Sequence, residues 1–102
     1  MEIPYERIKQ SIELPNRERV VVYFIDSAKR EMPRRELLRN VFKVTRDGTP
    51  IWRIQLPNLE DARAFLEVYI AADGRLIAYN ADSWEYEVDV ASGNAKPHAF
   101  LK

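Results

Sequence analysis

Only three glycines occur in the 102 residues, and each sits at a tip between apolar stretches: Asp47-Gly48, Asp73-Gly74 and Ser92-Gly93. Asp-Gly between alternating apolar residues is the strongest short-range hairpin signal, because glycine enters the left-handed region without a Cβ clash. From about Asn40 onward the chain is therefore expected to run as an antiparallel meander. Phe42 and Val44 alternate with Lys43 and Thr45. Beyond Gly48, Trp52, Ile54 and Leu56 alternate with Arg53 and Gln55. Trp84, Tyr86, Val88 and Val90 interleave with Glu85, Glu87 and Asp89, which predicts one buried and one wet, acidic face.

Upstream the pattern changes. Tyr5, Ile8 and Ile12 stand at helical spacing after Pro4, so residues 4–14 are expected to form a short amphipathic helix ended by Pro15-Asn16. Val20–Ile25 is β-branched and aromatic without a polar break, as in a strand covered on both faces. The cover is expected from the N-terminal helix or from another subunit. Pro33 opens what reads as one helical turn through Leu38. Residues 58–74 fit two patterns, and a helical turn near 59–64 followed by a strand through 71 is the favoured reading. The fold class is thus mainly β, with α+β left open: one domain over residues 1–102, a meander of about six strands and a short N-terminal helix.

Composition bounds the chemistry. Sixteen basic and sixteen acidic residues cancel, so no global field draws nucleic acid or membrane. The absence of cysteine removes disulfides, thiolate catalysis and sulfur-ligated metal. No signal peptide is read, and the longest apolar run falls far short of a membrane span, so a cytoplasmic location is expected. The balance hides an asymmetry. Between Lys29 and Arg46 lie seven bases and two acids, and between Asp82 and Asp89 four acids and no base. Such patches steer a charged partner or a second copy of the chain.

The stretch Asn40-Val41-Phe42-Lys43-Val44 with Asp47-Gly48 and Ile51-Trp52-Arg53-Ile54 resembles a β-propeller blade repeat of the pyrroloquinoline-quinone-protein kind. Gly74, Leu76, Ala78-Tyr79, Asp82, Trp84, Tyr86, Val88-Asp89 and Ser92-Gly93 show the same grammar. Together they resemble small, mostly uncharacterised bacterial proteins that carry both segments in one short domain. The resemblance covers residues 40–93 and implies fold only. The matched positions are turn and strand residues, so no quinone-binding or catalytic residue is carried across. Phe42–Ile54 and Val68–Asn80 also superpose at an offset of 26 residues.

No catalytic constellation, cofactor or metal site emerges. His98 is the only histidine, in a terminal segment beside Pro97. Of the acids Asp82, Glu85, Glu87 and Asp89, alternate ones on a strand lie about 7 Å apart, too far for one cation without loop ligands that the chain lacks. Nucleic acid is disfavoured, since the aromatics near the basic stretch sit in core alternation. A non-enzymatic, protein-binding domain of accessory or immunity type is expected, and also a homodimer. The partner contact is placed on Arg34, Arg35, Arg39 and Lys43. The alternative is a small-ligand binder or minor enzyme with a sheet face lined by Trp52, Tyr79 and Trp84.

Overall fold

The computed structural model describes residues 8–24, 38–56, 64–81 and 84–100. These form two four-stranded antiparallel meanders. Sheet 1 runs β1 (Ile8–Glu13), β2 (Arg19–Tyr23), β3 (Val41–Val44) and β4 (Pro50–Arg53), and sheet 2 runs β5 (Phe65–Ile70), β6 (Leu76–Asn80), β7 (Trp84–Val88) and β8 (Ala95–Phe100). One core is shared: Val20, Val22, Val41 and Trp52 meet Phe65, Val68, Leu76 and Val88. The β-rich expectation holds, with eight strands among the described residues in place of about six.

The N-terminal helix is corrected. Residues 8–13 form an edge strand, whose half-buried positions Gln10 and Ile12 alternate with exposed neighbours. A polar residue at an inward position hid the period of two. Gln10 is there because its carboxamide serves as a strand partner: Nε2 donates to Val68 O at 2.7 Å, and Oε1 accepts from Val68 N at 2.8 Å. The helical turns expected near residues 33–38 and 59–64 fall largely outside the described residues. The strand that follows, Phe65–Ile70, is present.

Three hairpins share one loop geometry. Leu14, Thr45 and Ala71 donate their N–H to the carbonyls of Glu18, Thr49 and Arg75, and the N–H of Arg17, Gly48 and Gly74 returns to the first carbonyl of each loop. The third loop residue is left-handed in all three, at φ 69° for Arg17 and at 91° and 88° for the glycines. Pro15-Asn16-Arg17 is thus a hairpin loop without a glycine. The segments related by the 26-residue offset fall on the β3–β4 and β5–β6 hairpins, the last of one sheet and the first of the other.

The sheets are joined at both margins. Beside Gln10, Asn40 donates from Nδ2 to Tyr23 O (2.8 Å) and Phe65 O (3.0 Å), and accepts from Phe65 N at 2.9 Å. At the other margin Gln55 makes a parallel backbone bridge to Asn94, just before β8, its N–H donating to Gly93 O and its carbonyl accepting from Ala95 N. Each edge strand also carries one residue outside the pairing: Lys9 in β1, Ile51 in β4, Leu66 in β5 and His98 in β8. All four are exposed, and Pro50 and Pro97 lie in the same edge strands. Bulges and prolines blunt an edge against further pairing. Val20, Val21 and Val22 are each 0% exposed without a second subunit. The cover expected for this apolar strand from the N-terminal helix or from another subunit is thus present within one chain.

Candidate functional site

The outward face of sheet 2 is set by strand register. Tyr69 lies across from Ile77, Ile77 from Glu87 and Glu87 from Lys96, while Tyr79 stands between Glu67 and Glu85. These positions alternate with the core residues Val68, Leu76, Ala78 and Val88, so they point away from the core. Two side chains cross the sheet above them. The Tyr69 hydroxyl donates to Glu85 Oε2, passing over β6. Arg75 Nη1 donates to Glu87 at 3.1 Å and lies 3.5 Å from His98 Nδ1, and Arg75 Nε donates to Asp73 at 2.6 Å. Ile77, between the two crossings, is only 1% exposed although it faces away from the core. Strand β8 bulges at His98, and a bulge re-aims a side chain, here toward Arg75.

The electrostatics follow from these contacts. The bond to Glu85 raises the Tyr69 phenol above its usual range, with burial and the charges of Glu85 and Glu67 acting the same way. Hydrogen bonds to Glu87 and Asp73 raise the Arg75 guanidinium. The backbone N–H of Arg75, then its side chain, lower Asp73. At the turn end of this face an open depression of about 470 Å³ is walled by Arg75, Glu87, Asp89, Asn94 and Lys96, with Val90 in its lining.

The residues singled out in the sequence are dispersed. Arg39 is buried, with Nε donating to Ile54 O at 2.7 Å. Lys43 is buried between Val20 and Trp52 in the ladder, with Nζ on Val90 O at 3.1 Å and on Glu18 at 3.0 Å. Neither forms a solvated basic face. The aliphatic stem of Lys43 serves the core, and its ammonium is met by a carbonyl and a carboxylate. Arg34 and Arg35 lie outside the described residues. Trp52 is 7% exposed, its Nε1 donating to Val90 O at 2.8 Å and its ring lying against Gly93. Trp84, expected in the core, is 39% exposed at the far end of β7 from the depression. Glu85, expected in solvent, is 8% exposed because it takes the Tyr69 hydroxyl. Of the three aromatics proposed to line a ligand face, only Tyr79 belongs to the face described here.

Alternation alone assigns Tyr69 and Arg75 no role; their only signal is an aromatic and an arginine at outward positions. Among the described residues, no group of His, Asp and Glu is placed to hold a metal, and every buried side-chain nitrogen or oxygen has a partner. No described helix is long and apolar enough to cross a membrane. No curated protein and no solved structure matches the chain. The family described as a domain of unknown function (DUF7957) matches residues 4–100, and the chain belongs to that family.

Proposed function

We propose that this chain is a non-catalytic binding domain that docks a protein partner through the outward face of sheet 2. One observation carries the reading: Tyr69 and Arg75, of residue types that dominate binding energy at protein interfaces, are each tied across the sheet before any partner arrives. Side chains already fixed lose less entropy on association. The face is broad and bears both charges. The ligand-binding alternative needs a concavity holding Trp52 or Trp84 beside acids, and neither tryptophan lines the depression.

The test is capture of partners from the cells that express the protein, comparing the unaltered chain with Tyr69→Ala and Arg75→Ala combined. Circular dichroism verifies that both are folded. A partner held by the first and lost by the second is the expected result. A partner held equally by both would overturn the assignment of the face.

A further inference from the structure

The two sheets differ in charge. Residues 8–24 and 38–56 carry seven bases and three acids, a net of +4, whereas residues 64–81 and 84–100 carry two bases and five acids, a net of −3. On the acidic sheet Arg75 is already paired with Asp73 and Glu87, while Glu67 and Asp89 are exposed. On the basic sheet the exposed bases include Arg17 and Arg46, in the loops closing β1–β2 and β3–β4. In an antiparallel meander those two loops lie at the same end. Neither arginine side chain forms an ion pair with any described residue. One end of sheet 1 therefore presents two guanidinium groups uncommitted among the described residues, and sheet 2 presents a face with excess negative charge and an open depression.

We propose that the occupant of the sheet 2 face is a second copy of this chain, its Arg17 and Arg46 loops set against Glu67, Asp89 and the depression. This deepens the protein-binding reading and rests on it. The two surfaces differ, so the contact is head-to-tail and extends into a ring or a chain instead of stopping at a two-fold pair. It uses loops and a face, leaving the blunted strand edges aside. The attraction is coulombic and screened, since the Debye length shrinks from about 30 Å at 0.01 M salt to about 3 Å at 1 M.

Sedimentation velocity on the whole chain tests this. At low salt the weight-average mass is expected to exceed 12.0 kDa as concentration rises, and at high salt to return to 12.0 kDa. Arg46→Glu alone and Asp89→Arg alone should each lower the association constant about tenfold or more, the range of close charge pairs at interfaces. An equimolar mixture of the two variants should recover association, because the carboxylate introduced in one then meets the guanidinium introduced in the other. Asp89 also accepts the N–H of Ala91 in its turn, so Glu67→Arg serves as a second reversal that leaves the turn intact. A chain that stays at 12.0 kDa at low salt, or variants that fail to rescue each other, overturns the proposal. If a foreign partner is still lost on Tyr69→Ala and Arg75→Ala, the protein-binding reading survives that outcome and the self-association does not.

Discussion

Gly93→Ala should be the most damaging of the three possible glycine-to-alanine changes, by a margin that the structure lets us estimate. A Cβ at position 93 would stand 2.7 Å from Cδ2 and Cε3 of Trp52 and 3.0 Å from Cγ. Carbon atoms rest at about 3.5–4.0 Å, so ring and loop would have to part by close to 1 Å. The indole cannot yield cheaply, being buried with Nε1 bonded to Val90 O. Overpacking of this kind costs about 1–3 kcal/mol, and a buried N–H left without its acceptor about 1–3 kcal/mol. The left-handed backbone, at φ 81°, adds strain of about 1 kcal/mol for any residue with a Cβ. The total is about 3–7 kcal/mol. At Gly48 and Gly74 an added Cβ meets nothing within 4 Å, so only the backbone strain of about 1 kcal/mol applies there. Urea unfolding followed by circular dichroism measures all three. Repeating Gly93→Ala in a Trp52→Leu background should recover more than about 1 kcal/mol, as expected for residues in contact. Gly93→Ala within about 0.5 kcal/mol of Gly48→Ala would refute the reasoning, because distant surface changes differ by no more than that.

Arg17→Gly should stabilise the chain by up to about 1 kcal/mol, since relief of the left-handed strain exceeds the entropy that glycine adds to the unfolded chain; an unchanged urea midpoint would contradict it. Asn40→Ala should cost about 3–5 kcal/mol by stripping partners from buried backbone groups of Tyr23 and Phe65, with Gln10→Ala costing less at its half-buried site. Equal midpoints for the two variants would count against that ranking. Asp47 is lowered by hydrogen bonds from Thr45 and Thr49, and Glu18 by Asn16 and Lys43. A depressed carboxylate contributes stability above its unfolded value that is lost as pH falls through the folded one, so stability should decline below about pH 4. Asp47→Asn should flatten that decline, and an identical acid limb in the variant would dismiss the assignment.

The hairpins were legible because Asp-Gly writes loop geometry directly into the chain. β1 was not, for two reasons: Gln10 is a polar residue performing a strand's hydrogen bonding, and Arg17 fills a position where glycine would have announced the turn. Lys43 and Arg39 count as surface charges in any one-dimensional reading, yet their partners are carbonyls 47 and 15 residues away in sequence. The bulges added another layer. Leu66, Val68 and Ile70 alternate as though they shared a face, but Leu66 stands outside the pairing and Phe65 takes the core position. The candidate site stayed hidden for a related reason, because Tyr69 reaches Glu85 across an intervening strand, a relation that no spacing encodes.

The carbonyl of Val90 accepts both Lys43 Nζ and Trp52 Nε1, and Val90 also lines the depression on sheet 2. The wall of the outward-facing site is thus anchored from the opposite sheet, through the core. Alterations at Lys43 or Trp52 would be felt on a surface those residues never reach. In a screen for lost association they would score as contact residues, although their part would be to hold the shape of the surface proposed to make the contact.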